Sequence, residues 1–324
     1  MPTLTGRTQI SAEMSNVYSR ELIETSYPAY KYNMFAVVRD IPQNAGTNVI
    51  KFRQYSALSA NVTPLSPGVT PNGTSLSATD ITATVLRYGD YVILDDEVLT
   101  ESIDPILMEA ARELGEQAGL SLDTICRDIV TAGTNVQYAG VATATNEVTS
   151  AMKLNRMEVK VAVRTLKGAN AKPITKMIDA STGQATVPIG RSFMAICSED
   201  TTFDLDDAAG FIPVEKYPNK SNVMEDEVGA MAGVRFIETT NAKVKAASGA
   251  DGNDVHCTIV FAKNAYAQSR ISGLALQNIV KPIGSGGSED PLDQRGTSGW
   301  KASYVARILD QTKLVRIEHG VSDS

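Results

Sequence analysis

NVIKFRQY (48–55) and ITATVLRYGDYVIL (81–94) are rich in Val, Ile, Thr and Tyr, the composition of β-strands. Between them runs SALSANVTPLSPGVTPNGTSLSATD (56–80), which is Ser, Thr, Pro, Gly and Asn with scattered apolar residues. Asn72-Gly73 is its strongest tight-turn signal. A connection this long is unusual inside a compact domain and points to a functional loop or to disorder. Read as a ribbon, it projects roughly 40–50 Å at about 3.3 Å per residue. Two strands alone are marginal in water, so the ribbon needs another subunit to rest on.

On the C-terminal side, Asp104-Pro105 starts a helix, with Asp as N-cap and Pro at the first helical position. Leu107, Ala111, Leu114, Ala118, Leu122, Ile125 and Ile129 form its stripe, and Gly133 ends it. At about 1.5 Å per residue, a helix over 105–132 spans roughly 42 Å. Gly115 and Gly119 lie inside it, each costing about 1 kcal/mol relative to Ala, for close packing or for a bend. On the N-terminal side, 11–25 reads as a short amphipathic helix, followed by the tyrosine-rich arm YPAYKYNMF around Pro28.

A second helix is expected over 151–167, capped by Ser150 and stopped by Gly168. Strands are expected at SFMAICS (192–198), GVRFIET (233–239) and VHCTIVFA (255–262), and near the end at NIVKPIG, WKASYVARIL and TKLVRIEH. The fold class is therefore α+β with a mixed or antiparallel sheet.

The 324 residues carry 30 basic and 37 acidic side chains, a net charge of −7, which argues against a protein built mainly to grip phosphates. With 43% hydrophobic and 21% charged residues the chain can build a core. The three cysteines, Cys126, Cys197 and Cys257, are too few and scattered for a disulfide framework and read as small buried residues. No signal peptide or membrane-spanning run is visible. The histidines, His256 and His319, sit in alternating apolar runs that suit satisfied core residues better than ligands. A partial calcium-loop match from Asp204, with Asp206 and Glu215 at ligand positions, fails because Ala208 and Ala209 replace a ligand and the turn glycine. Asp95, Asp96 and Glu97 read as solvated charges rather than an acid–base pair. No enzyme, cofactor or metal is expected.

NVIKFRQY, TATVLRYGDYVILDDEV, SIDPIL with LGEQAGLSLD, RDIVTAGTNVQYA, GVRFIET, TIVFAKNAYA and, most specifically, KPIGSGGSEDPLDQRGTSGWK (281–301) carry a resemblance. Together they resemble the major capsid proteins of tailed bacteriophages, in the N-four-like branch of the HK-ninety-seven-like fold. The similarity runs from about residue 45 to 310 and departs at Phe261, Ala262, Lys263 and Asn264, where members more often show Phe-Gly-Lys-Asp. An encapsulin-like bacterial compartment shell shares the fold and is the alternative. A hydrolase or an adhesin-like module lacks support in the residues.

The resemblance implies an N-terminal arm (1–47), an extended β-ribbon loop (48–93), a peripheral domain (94–135 and 271–305) with a spine helix at 105–132, and an axial domain (136–270 and 306–324). It implies subunit contacts through Pro64, Pro67, Asn72, Gly73, Tyr88 and Tyr91 of the extended loop, and through Asp290, Pro291, Arg295 and Trp300 of a peripheral-domain loop. Shells of that family expand as DNA enters and the spine helix changes curvature in several members, so Gly115 and Gly119 would be its bend. The implied partners are copies of the chain in hexamers and pentamers, a separate scaffolding protein, a portal protein at one vertex and a decoration protein. Packaged double-stranded DNA would be held non-specifically, with no membrane involved, in a virion assembled in the host cytoplasm. Some relatives cross-link their shells from an extended-loop lysine. Of the 15 lysines here none lies between Lys51 and Lys153, so a shell without that bond is expected.

Overall fold

The computed structural model describes residues 31–65, 68, 70, 72–97, 106–178, 186–217, 223–284 and 290–322. The helix expected over 11–25, the Asp104-Pro105 start and Pro67 lie outside them. The strands are β1 (Val37–Val38), β2 (Val49–Tyr55), β3 (Ala78–Thr84), β4 (Leu86–Asp95), β5 (Val136–Tyr138), β6 (Ile174–Ile178), β7 (Thr186–Cys197) and β8 (Ile212–Pro213). They continue with β9 (Glu227–Met231), β10 (Val234–Glu238), β11 (Val244–Lys245), β12 (Val255–Phe261), β13 (Tyr266–Ser269), β14 (Leu276–Lys281), β15 (Arg295–Ile308) and β16 (Leu314–His319). The α-helices among the described residues are α1 (Ile106–Thr131), α2 (Arg156–Gly168) and α3 (Glu199–Asp206).

The larger sheet runs β5-β16-β12-β7-β10-β9-β8, with β11 on β12 and β6 on β7. Its alternation builds two cores. Met194, Ile196, Ile237, Ile259, Phe261 and Leu314 face the layer holding α1, whose Leu114, Ala118, Leu122, Cys126 and Val130 are buried there. Phe193, Ala195, Phe236, Val260, Val315 and Ile317 face the other way, onto Val159, Ala162, Val163 and Leu166 of α2 and Leu205 of α3. The smaller sheet runs β1-β13-β15-β14 with β4 also on β15. Trp300, Ala302, Tyr304 and Ala306 of β15 join the α1 core, so one helix bridges both sheets.

The strand expected over 81–94 is broken at Val85, which is buried and donates its N–H to the Asn48 carbonyl at 2.8 Å. Before the break β3 pairs only with β2, from Val49 opposite Thr84 to Tyr55 opposite Ala78. After it β4 changes partner and runs antiparallel to β15 from Leu86 to Asp95. Burying Val85 at the foot of the ribbon fixes that change.

The second helix begins at Arg156 rather than 151. Asn155 is its cap, its side chain accepting from the N–H groups of Met157 and Glu158 at 2.8 and 3.2 Å. Residues 151–155 instead turn toward the chain's end, with Lys153 bridged to Gly320. The expected strands over 192–198, 233–239 and 255–262 are present as β7, β10 and β12.

Candidate assembly surfaces

The fold brings Ser198 and His256 within 2.8 Å, a pair that could suggest catalysis. Ser198 is the N-cap of α3 and its Oγ also meets Thr201 Oγ1 at 2.9 Å. Asp200 stands 3.9 Å from the other ring nitrogen of His256. His256 and His319 lie opposite one another in the β12–β16 register, with rings 6.3 Å apart. His319 Nε2 meets Thr258 Oγ1 at 2.8 Å and its Nδ1 donates to the Gly320 carbonyl at 2.9 Å. Burial holds His256 below the usual histidine range and pushes His319 down to about 4. Both rings are buried, His256 bonded through Nδ1 and His319 through both ring nitrogens.

A cleft of about 190 Å³ is lined by Asp128, Thr131, Ala132, Lys243, Lys245 and Cys257. Its lysines are already paired, Lys243 with Asp128 at 3.1 Å and Lys245 with Glu318 at 2.6 Å. All three cysteines are free and buried, and desolvation raises Cys197 to about 12 and Cys257 to about 11, far from nucleophilic. Among the described residues no group of His, Cys, Asp and Glu could hold a metal, and no helix is long and apolar enough to cross a membrane. Asp204, the first residue of the calcium-like stretch, is bonded to Lys153 at 3.0 Å and to Ser322.

The surfaces that lack intramolecular partners lie elsewhere. The ribbon is fastened at its foot, where Phe52 and Ala83 pack on Ala267 and Gln54 Nε2 donates to Asp310 at 2.9 Å. Beyond the Ser56 N–H bond to the Ser77 carbonyl no rung joins the described parts of its two limbs. The paired ribbon is thus shorter than expected, since prolines such as Pro64 offer no donor to a ladder. Leu58, Val62, Leu65 and Leu76 are left in water, Val62 at 86% exposed, and Pro64 is exposed as well. The tight turn is not at Asn72-Gly73, both of which are exposed and neither of which has positive φ. Gly68, at φ +77, supplies the left-handed residue.

Tyr88 and Tyr91 belong to the β4 edge rather than to the ribbon. Tyr88 is half-buried against the α1 core, whereas Tyr91 points to the opposite face and is 62% exposed, beside Ile93 and Ile279. Gly299 makes room there, because a Cβ on it would come 2.6 Å from Tyr91 Cβ.

Gly115 and Gly119 are buried on the same stripe as Ala111, Leu114, Ala118 and Leu122, and α1 runs unbroken through both. Around 290, the Asp290 carboxylate accepts from the Arg295 N–H at 2.7 Å, and Pro291, Leu292 and Arg295 are exposed. Trp300 is not part of that loop surface: it is 5% exposed and donates from Nε1 to Gln117 Oε1 at 3.0 Å. Gln117 in turn donates to Asp90 at 2.7 Å, which ties α1 to β15 and β4. Alternation along β15 places residue 300 on the helix side with Ala302 and Tyr304.

One anchor carried no sequence signal. Asp123, fully buried in α1, accepts from the N–H groups of Tyr32 and Asn33 at 2.8 and 3.3 Å and from Asn241 Nδ2 at 3.1 Å. Tyr266 OH donates to the Tyr32 carbonyl at 2.7 Å, and Tyr304 OH to Asn33 Oδ1. The described start of the chain is buckled to the helix by these bonds. An acid amid an apolar stripe looks like a solvated face until its partners 90 residues away are known.

A family model described as phage capsid protein matches residues 77–317. The chain is similar in structure to the capsid of Ralstonia phage GP4, with a TM-score of 0.71 and 12% identity over 90% of this chain and 88% of that one. It is also similar to the cyanophage Pam1 capsid asymmetric unit, with a TM-score of 0.63 and 15% identity over 93% of each chain. For the head of Helicobacter pylori bacteriophage KHP40 the TM-score is 0.62 and the identity 12%, over 91% of this chain and 90% of that one. No curated protein matches by sequence.

Proposed function

Because the chain belongs to the phage capsid protein family, a family of head-wall subunits, we propose that its exposed ribbon and β4 edge are the surfaces through which copies knit into pentamers and hexamers around double-stranded DNA. The observation that carries this reading is the ribbon itself. It is anchored by a small core at its foot and carries an uncharged stretch from Ser56 to Thr79 that leaves four aliphatic side chains in water. A monomer gains nothing from that arrangement, whereas a neighbour's surface supplies the missing burial at about 25 cal/mol per Å².

The same reading assigns Pro64, Pro67, Asn72 and Gly73 to the ribbon contact and Tyr91 to the β4 edge. Asp290, Pro291 and Arg295 form a second contact, where Leu292 is 76% exposed. A scaffolding protein would set curvature during assembly, a portal would occupy one vertex, and a decoration protein would bind the finished lattice. Each contact is modest, so misplaced subunits can leave, and the shell is held by their number.

The test is negative-stain imaging and sedimentation of the wild type and of a variant lacking residues 57–76, each expressed alone and with the candidate scaffold. Closed particles from the wild type and folded, small oligomers from the variant are expected. A folded variant that closes particles as well as the wild type removes the ribbon from assembly. A wild type that stays small in both settings overturns the reading.

A further inference from the structure

Two helices that pack on the same side of the larger sheet expose faces of opposite charge. Along α2, Arg156, Lys160, Arg164 and Lys167 are all exposed, and their spacing keeps them on one stripe. The only acid in the helix, Glu158, is engaged elsewhere, accepting from Gln137 Nε2 at 2.9 Å and from the Gly140 N–H at 3.1 Å. None of the four cations has an ion pair among the described residues. Like charges at this spacing cost a helix a few tenths of a kcal/mol per pair.

On α3 and its C-cap, Glu199, Asp200, Asp206 and Asp207 are exposed around Phe203, whose ring is 71% exposed. The first two suit the N-terminal end of the helix dipole. Asp206 and Asp207 sit at the opposite end, where they are disfavoured, and no basic residue occupies the last turn. Within the subunit Lys153, three residues ahead of α2, reaches Asp204 of α3 at 3.0 Å, and Arg156 of α2 lies against Gly210, beyond the end of α3. The local cost on both helices is otherwise unrelieved.

We propose that the cationic stripe of α2 receives the acidic, Phe203-bearing face of α3 from the next copy of this chain, as a head-to-tail contact. Such a heterologous contact closes a ring wherever its rotation closes, which is what a pentamer or hexamer requires. The proposal rests on the capsid-subunit reading above and names one of its ring contacts. Phe203 lies on the aliphatic stems of Lys160 and Arg164 beside Met157, itself 66% exposed, while the acids meet the cations. Aromatic residues, Phe among them, are enriched at interfaces relative to the rest of a protein's surface. Packaged DNA would also attract the α2 stripe, but it has no use for Phe203 and would repel Asp206 and Asp207.

Charge exchange tests the contact. The double variants Lys160→Glu with Arg164→Glu, and Asp206→Lys with Asp207→Lys, are compared with the wild type and with the quadruple variant. All are prepared identically, checked for folding by circular dichroism and thermal melting, and scored for rings by sedimentation and for closed particles by negative stain. Each double variant should give roughly tenfold fewer rings and particles, because like charges then face each other. The quadruple variant should recover, since the opposed charges have only changed sides. Phe203→Ser should lose assembly with every charge intact.

Double variants that assemble like the wild type, or a quadruple variant no better than either double, overturn the contact. Particles that form normally with residues 160 and 164 reversed but hold less DNA assign the stripe to DNA, and also overturn it. If the wild type assembles and only the rescue fails, the α2–α3 contact is wrong while the capsid reading stands. If the wild type forms neither rings nor particles, both fall.

Discussion

Asp123 and His319 are both enclosed, and they titrate in opposite senses. Desolvation by burial raises Asp123 from 3.8 to about 6, although three hydrogen bonds and Arg127 pull it down. The folded chain therefore holds a proton that the unfolded chain has already lost between these values. Stability from this group is fully present below 3.8 and falls by about 3 kcal/mol as pH rises through 6. Burial lowers His319 from 6.5 to about 4, so its contribution is present above 6.5 and is lost as pH falls through 4, again about 3 kcal/mol. His256 is lowered too and adds to the acid side. The wild type should accordingly show a shallow stability profile from pH 4 to 6.5. Asp123→Asn should carry a fixed cost, because its amide faces Asn241 Nδ2. It should also lose a further ~3 kcal/mol on acidification from pH 6.5 to 4, now that His319 is unopposed. Urea midpoints of dissociated subunits measure this; parallel profiles for the two proteins would refute the coupling.

At the scale of elements, α1 was the most legible part of the sequence because its stripe repeats over many turns and both sheets pack on that stripe. The ribbon strands were legible for the same reason, through residue types suited to a pleated surface. What the sequence hid were changes of partner. A strand that leaves β2 and joins β15 reads as one continuous strand, and Val85 looks like its neighbours until its burial is seen. Trp300 opens an expected strand directly after a glycine-rich loop, which suggests a loop contact, while its side is set by pairing to Asp90 across β4. Ser150 and Asn155 are equally good caps by type, and the bridge from Lys153 to Gly320 chooses between them. Gly115 and Gly119 belong to this scale as well. Replacing both with Ala gains about 1 kcal/mol each in helix propensity and adds two methyl groups to a buried face. If they are the bend of the helix, the variant should assemble with one curvature and fail to expand when DNA enters, as read from particle diameter. Normal expansion of folded variant particles would exclude that role.

For the whole molecule, the surfaces that matter most were only partly visible in the sequence, since an exposed leucine in a loop has no periodicity to betray it. Charge speaks more clearly. Beyond Lys51 the ribbon has no amine, so its projecting part offers none for an isopeptide bond. Mature particles boiled in detergent and reductant should run as a single band near 34.6 kDa, and a ladder of covalent multimers would contradict this. The small sheet has a further consequence under load. β4 and β14 lie antiparallel along the 14-residue β15, in registers of ten and six pairs. A pull along β15 strains all these rungs at once, in shear, and they fail together or hold. A pull across it opens them singly, as a zipper does. The subunit is thus a tie-rod in one direction and a seam in the other.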